Sequence, residues 1–129
     1  MPTRRQRRVA ELIHRELSLL LLREVRDPRL SDVALTEVRI TPDLLIAHIY
    51  YTVMGDAAAK SEAAAGLQSA LGFLRTQVAE RVQMRLAPEL IFEPDTSAEY
   101  AQRIEELLHQ IAAESPARDE QGDDEELEL

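Results

Sequence analysis

Residues 33–53 have the sequence VALTEVRITPDLLIAHIYYTV, two runs rich in β-branched and aromatic residues on either side of a short turn. In the first run the charged Glu37 and Arg39 alternate with apolar residues, and the second run alternates in the same way. A period of two is typical of strands that bury one face. Thr41-Pro42-Asp43 supplies the residue types that favour a turn. The stretch therefore predicts a β-hairpin with one apolar face that other elements must cover.

A helix is predicted before the hairpin. Thr3-Arg4-Arg5-Gln6 has the spacing of a capping box, which starts a helix near Arg4. Apolar residues then recur at helical intervals as far as about Arg23. They form one stripe: Val9, Leu12, Ile13, Leu17, Leu20 and Leu21. Asp27-Pro28-Arg29 ends the helix, because proline pushes the preceding residue out of the helical conformation.

A second helical segment follows the hairpin. Residues 57–86 are rich in alanine and contain no proline, so they predict a helix. Gly66 and Gly72 interrupt the pattern, and Ala87-Pro88 breaks it.

The rest of the domain completes the predicted sheet and adds a last helix. Residues 89–95 predict a short third strand. Thr96-Ser97-Ala98-Glu99 is a second capping box, which starts an amphipathic helix through Ile111. The order helix-strand-strand-helix-strand-helix predicts an α+β fold, with helices covering one face of a mixed three-stranded sheet.

The net charge of −9 is concentrated at one end of the 129-residue chain. Residues 114–129 contain eight acidic residues and one arginine, for a net charge of −7, which leaves −2 for residues 1–113. The acid-rich end has almost nothing to bury, so we predict a domain over 1–113 and a disordered acidic tail over 114–129. Residues 1–30 carry a net charge of +4, so a nucleic acid partner is compatible with the charge pattern.

The sequence contains no pattern for catalysis, and we expect no enzyme, no metal site and no cofactor. His14, His48 and His109 fall on three different elements without metal-ligand spacing. No serine has the context of a nucleophile elbow, and the four scattered glycines form no phosphate loop. The absence of cysteine excludes a disulfide scaffold, a zinc ribbon and a thiol nucleophile.

Localisation and assembly are inferred from further missing signals. No apolar run approaches the roughly 18 residues needed to cross a bilayer. The N-terminus lacks the hydrophobic region of a secretory signal. We therefore expect a cytoplasmic monomer with no membrane partner.

The arginines of the first helix are the first candidate functional feature. Arg4, Arg7, Arg8 and Arg15 fall within an arc of roughly 100° on that helix, opposite the apolar stripe. A row of guanidinium groups can bind phosphates bidentately. The alternative interpretation is an ordinary solvated helix face.

The segment around Gly72 is the second candidate. A glycine in mid-helix costs roughly 1 kcal/mol relative to alanine. It marks either a bend between two helices or a position where another backbone comes close. Arg75, Arg81 and Arg85 follow within three turns and could flank such a bend. The alternative interpretation is a glycine that serves packing alone.

Seven short stretches, taken in order, give the chain a resemblance to a known family. They are Arg8–Glu11, Arg23–Arg29, Thr41–Leu44, Ala47–Gly55, Gly72–Arg75, Met84–Phe92 and Asp95–Ser97. Over roughly residues 4–110 the chain resembles the ribosome-binding factor A family of bacterial small-subunit assembly factors. The resemblance implies a type II KH-like fold, ordered helix-strand-strand-helix-kink-helix-strand, with a C-terminal helix added.

The resemblance also implies a site. In this family an Ala-x-Gly kink replaces the GxxG loop of other KH domains, and here the matching residues are Ala70-Leu71-Gly72. His48 departs from the lysine that many members carry on this strand, which weakens a charge role there. Tyr50 is the main candidate for stacking on a base. The predicted RNA-binding residues are Arg4, Arg5, Arg7, Arg8, Arg15, Ala70, Leu71, Gly72, Arg75, Arg81 and Arg85.

The partners that the resemblance implies are the free 30S ribosomal subunit and its 16S rRNA. The family assists maturation of the 16S rRNA 5′ end, is linked to growth in the cold, and is released with the help of a GTPase. Two other functions stay open: a generic single-stranded RNA-binding KH module, and an adaptor whose acidic tail binds basic ribosomal proteins. The tail could also screen the arginines from stray nucleic acid.

Overall fold

The computed structural model describes residues 1–118, and the side chains of residues 1–114. The elements are helix α1 (Arg4–Arg23), a 3-10 turn (Pro28–Leu30), strands β1 (Val33–Ile40) and β2 (Ile46–Val53), helix α2 (Ala57–Val82), strand β3 (Glu89–Pro94) and helix α3 (Ser97–Arg118). This order confirms the predicted α+β fold. Residues 1–95 form one compact unit, and α3 belongs to a second unit.

The sheet has the strand order β1-β2-β3. The predicted hairpin is present, because β1 and β2 pair antiparallel with Val38 opposite Ile49. Strand β3 pairs parallel with β2, and Leu90 lies opposite Ala47. A parallel neighbour requires a crossover, which α2 supplies. The sheet is therefore mixed, as the sequence predicts.

Helices α1 and α2 pack on one face of this sheet and form the main core with it. The buried core residues are Ile13, Leu17 and Leu20 of α1, Leu74 and Val78 of α2, and Val38, Ile40, Ala47, Ile49 and Leu90 of the sheet. Full burial of each large aliphatic side chain stabilises the fold by roughly 1.5–3 kcal/mol. A smaller cluster of Leu30, Tyr51 and Leu67 lies beside it, where burial raises the pKa of Tyr51.

The predicted capping box fixes the start of α1. The Gln6 amide donates to Thr3 Oγ1 at 3.1 Å, and the Thr3 amide donates to Gln6 Oε1 at 2.9 Å. The buried Gln6 side chain also donates from Nε2 to the Ile40 carbonyl at 3.0 Å. The arginine-rich first turns of α1 are thereby tied to the end of β1.

Helix α2 corrects one prediction, since the structure has a single helix where helix-kink-helix was expected. The helix runs without interruption from Ala57 to Val82, through both Gly66 and Gly72. The roughly 1 kcal/mol cost of a helical glycine is small beside the burial of Leu67, Leu74 and Val78 on the same helix. Packing therefore keeps the helix continuous.

Helix α3 extends further than the sequence predicts. It includes residues 114–118, which the predicted domain boundary at 113 assigns to the tail. Alanine and glutamate are strong helix formers, so Ala112-Ala113-Glu114 continues the helix beyond its last apolar residue. Residues 119–129 of the predicted acidic tail lie outside the described residues. Over the described part of the chain, no helix is both long and apolar enough to cross a membrane.

Candidate nucleic-acid interface

The five candidate arginines of α1 are all exposed. The opposite side of the helix buries Ile13 and Leu20, so the predicted opposition of basic and apolar faces is confirmed. Arg7 donates from Nη1 to the Pro2 carbonyl at 3.1 Å, and Arg15 lies 3.4 Å from the Glu16 carboxylate. The helix therefore presents a row of guanidinium groups to solvent, although neighbouring groups partly occupy Arg7 and Arg15.

Arg5 and Arg8 share a groove with Arg85, which the chain brings from far along the sequence. This groove, here called the basic groove, has a volume of about 570 Å³. Its walls include Arg5, Arg8, Arg85, Leu44, Leu45 and Leu86. It lies where the N-terminal part of α1, the β1–β2 turn and the loop after α2 meet. Three arginines predicted separately from two segments thus belong to one concave surface.

Two backbone features shape the basic groove. Leu44 in the β1–β2 turn has φ 63° and Gln83 after α2 has φ 59°. Both angles lie in the left-handed region, which residues other than glycine and asparagine rarely adopt. Gln83 caps α2, and the Met84 amide next to it donates to the Ala79 carbonyl at 2.9 Å. The Leu44 amide donates to the Thr41 carbonyl at 2.8 Å. These bonds hold the two loops that carry the walls.

An aspartate also lines the basic groove. Asp43 Oδ1 accepts from the Thr41 hydroxyl at 2.7 Å and from the Leu45 amide at 3.1 Å. The two hydrogen bonds lower the pKa of Asp43 below its ordinary value of 3.8, so this carboxylate is ionised at neutral pH. Three arginines and one aspartate give the groove a net charge of +2.

The Ala70-Leu71-Gly72 segment divides between core and surface. Ala70 and Leu71 are half-buried and pack against the core. Gly72 is exposed, and a Cβ placed on it meets nothing within 4 Å among the residues that the structure describes. Packing against the described residues therefore does not explain Gly72, whereas Gly66 lies against Leu30, where a Cβ on the glycine would be 3.0 Å from Leu30 Cδ2. Gly72 presents bare helix backbone to whatever approaches it.

The two arginines nearest to this segment make internal contacts. Arg75 donates from Nε to the Pro88 carbonyl at 3.0 Å and from Nη2 to the Ala87 carbonyl at 3.1 Å. Arg81 is ion-paired with Glu24, and its Nη1 lies 3.7 Å from Glu16. Arg75 therefore secures the loop before β3, and the charge of Arg81 is compensated by carboxylates of the α1 region. Of the α2-side arginines, the structure joins Arg85 to the α1 arginines in the basic groove.

The face of the sheet opposite α1 and α2 holds the remaining candidates. The Arg39 guanidinium lies over the Tyr50 ring, 5.7 Å from its centroid, which is within the range of a cation–π interaction. Arg39 therefore covers one face of the ring. His48 Nδ1 lies 3.0 Å from Glu93 Oε2 across β2 and β3. Within residues 1–118, no group of three histidine, aspartate or glutamate side chains is placed to hold a metal ion.

The leucines of the basic groove are the residues that the sequence analysis missed. Leu44 and Leu45 occupy a turn, where polar residues are usual, and Leu86 follows the end of α2. Leu45 is 44% exposed and Leu86 is 60% exposed. Two leucines in a turn between strands were a signal in the sequence that the turn has a role beyond reversal of the chain.

Comparison with known proteins places the chain in a family. The family model described as Ribosome-binding factor A matches residues 5–108. The ribosome-binding factor A proteins of Geobacter metallireducens and Geobacter sulfurreducens are each 44% identical to the chain, over 90% and 89% of its length and 98% of their own.

Solved structures give the same result. The crystal structure of ribosome-binding factor A from Thermus thermophilus is 26% identical, with a TM-score of 0.60 over 69% of this chain and 94% of its own. A homology model of the Thermus thermophilus factor, fitted into the cryo-EM map of a 30S complex, matches with 26% identity and a TM-score of 0.55, over 67% of this chain and 91% of its own. The chain belongs to the ribosome-binding factor A family.

Proposed function

We propose that this protein binds the 30S ribosomal subunit in the cytoplasm during the subunit's maturation, contacts its 16S rRNA and assists processing of the 16S 5′ end. The observation that carries the proposal is the basic groove. In a chain of net charge −9, it gathers Arg5, Arg8 and Arg85 on one surface. Within the described residues, no carboxylate pairs with any of these three arginines. Membership of the family and the 30S-bound Thermus thermophilus relative support the same assignment.

The proposed action is binding without chemistry. Guanidinium groups on α1 and in the basic groove contact rRNA phosphates and release condensed counterions, which makes the affinity depend on salt. The bound protein holds rRNA in an immature arrangement while nucleases process the ends. A GTPase then promotes release from the subunit.

Co-sedimentation with purified 30S subunits at rising salt tests the binding. We expect the double variant Arg4→Glu/Arg8→Glu to lose binding at salt concentrations where the wild-type chain still sediments with subunits. Arg23→Glu/Arg26→Glu is the matched control, because it makes the same charge change of −4 at two exposed arginines at and just past the far end of the 20-residue α1, about 30 Å away. If the double variant binds as well as the wild type, the arginine surface is not the interface.

Primer extension on 16S rRNA tests the maturation role. Cells that lack this protein are expected to accumulate small subunits with an unprocessed 5′ end, and the wild-type chain restores processing. The Arg4→Glu/Arg8→Glu variant is expected to restore it poorly, whereas the Arg23→Glu/Arg26→Glu control restores it fully. A normal 5′ end in the deletion strain would overturn the processing role and leave the binding proposal standing.

The acid-rich residues 114–129 favour a second candidate function, an adaptor for basic ribosomal proteins. Deletion of these residues distinguishes the two functions. Unchanged subunit binding supports the arginine surface, and lost binding supports the adaptor. A gain in affinity for unrelated RNA would instead show that the tail screens the arginines.

A further inference from the structure

We propose that the basic groove takes an unpaired nucleotide of single-stranded RNA, with its phosphates on Arg5, Arg8 and Arg85 and its base on Leu44, Leu45 and Leu86. The inference rests on the proposed function and adds the kind of RNA element that this surface recognises. It is carried by the groove's shape, its free charges and its apolar floor, formed by the half-buried Leu44 and the exposed Leu45 and Leu86.

The charges fit phosphates. Among residues 1–114, whose side chains the structure describes, none of the three groove guanidinium groups has a hydrogen bond or ion pair, in contrast to that of Arg81, which two glutamates hold. The same surface contains Asp43, but two hydrogen bonds within its own turn already occupy one of its oxygens. An anion in the groove therefore meets three available guanidinium groups and one partly satisfied carboxylate.

The apolar floor fits a base better than it fits a phosphate backbone. Leu86 is 60% exposed and Leu45 is 44% exposed, and both lie within reach of the arginines along the same groove. An RNA duplex presents phosphates and ribose on its outside and keeps the faces of its bases stacked. It could satisfy the arginines while the leucines stayed in contact with water. An unpaired nucleotide offers both an anionic phosphate and a flat apolar base.

The dimensions and the backbone agree with a small, preformed site. A volume of about 570 Å³ lies within the usual range of pockets for small ligands, roughly 300–1,000 Å³. The left-handed residues Leu44 and Gln83 fix the two loops of the groove by backbone hydrogen bonds. The site therefore needs little ordering when it binds, which favours affinity.

Fluorescence anisotropy of the full chain with a labelled RNA of about ten nucleotides, single-stranded or paired with its complement, tests the inference. We expect tighter binding of the single strand. Leu86→Ser should weaken single-strand binding about three- to tenfold and leave duplex binding unchanged, because it removes apolar contact and no charge. Leu22→Ser is the matched control, because Leu22 is 77% exposed at the other end of α1. The control should bind both RNAs like the wild type.

The charge contribution is measured separately. Arg8→Gln/Arg85→Gln should reduce the steepness of the salt dependence of single-strand binding by about 1.4 in a double logarithmic plot, since each phosphate contact contributes roughly 0.7. Equal binding of single strand and duplex, or an unchanged affinity in Leu86→Ser, would overturn the inference. So would tighter binding of an acidic, leucine-containing peptide at the same residues, which would make the occupant a protein.

A parallel co-sedimentation with 30S subunits separates this inference from the proposed function. A chain that binds subunits but shows no single-strand preference refutes the nucleotide site alone. A chain that binds neither subunits nor RNA refutes both proposals.

Discussion

Replacement of Gly72 by alanine is the sharpest test of how α2 is built. The residue lies inside the continuous helix and has no positive φ, so alanine can adopt its backbone conformation. A Cβ at this position meets no atom of the described part of the chain within 4 Å. Alanine therefore removes the conformational cost of glycine without a new clash. We expect Gly72→Ala to raise the free energy of unfolding by about 1 kcal/mol.

Gly66→Ala is the matched control on the same helix. There the new Cβ would lie 3.0 Å from Leu30 Cδ2 and 3.3 Å from Arg29 Cβ, closer than ordinary van der Waals contact. Leu30 belongs to the smaller core cluster and has little room to move. The same gain in helix propensity is therefore offset, and Gly66→Ala should be less stable than Gly72→Ala.

Thermal and urea denaturation followed by circular dichroism measure both variants. A gain of about 1 kcal/mol raises the midpoint temperature by roughly 4–8 °C in a domain of this size. If Gly72→Ala is no more stable than the wild type, or if Gly66→Ala gains as much, the description of α2 as a continuous helix with one open and one packed glycine is wrong. Co-sedimentation of Gly72→Ala with 30S subunits then shows whether its open backbone is a contact: we expect weaker binding despite the higher stability.

Three further predictions concern the ends of α1 and α2 and the β1–β2 turn. Gln6→Ala should lower the free energy of unfolding by about 1–3 kcal/mol in urea titrations, because it removes one half of the capping box and leaves the buried Ile40 carbonyl without its donor. Gln83→Gly should raise the same free energy by up to about 1 kcal/mol, because a left-handed residue with a side chain costs roughly 1–2 kcal/mol. The pKa of Asp43 is lower when folded than when unfolded, so its stabilising contribution is present above the ordinary value of 3.8 and is lost as the pH falls through the folded value. Asp43→Asn should therefore lose less stability than the wild type between about pH 5 and about pH 2, which acid titration at fixed urea measures.

The elements with strong local signals could be predicted from the sequence. The capping box at Thr3 and the proline after Asp27 bracket α1, which the structure places at Arg4–Arg23. The alternation around the Thr41–Asp43 turn gives the β1–β2 hairpin and the correct buried face. In each case the deciding interactions join residues close together in the chain.

The continuity of α2 and the basic groove depend on contacts across the chain, which the sequence pattern could not show. Gly72 predicts a bend by propensity, but the burial of Leu74 and Val78 outweighs that local cost. Arg8 and Arg85 are 77 positions apart in the numbering and meet because α2 ends beside the start of α1. Leu44 lies beside them because its own backbone adopts the left-handed conformation in the turn, which the propensity of leucine does not predict.

The most direct test of the central claim is directed hydroxyl-radical probing of the 30S complex. The chain contains no cysteine, so Gln83→Cys provides a unique attachment point for an iron chelate at an exposed residue that lines the basic groove. Met54→Cys provides a matched point, 78% exposed beyond the other end of β2, about 30 Å from the groove. We predict discrete cleavage of 16S rRNA from position 83 and much weaker cleavage from position 54. Strong cleavage from position 54 with none from position 83 would contradict the claim that this protein meets rRNA through the basic groove.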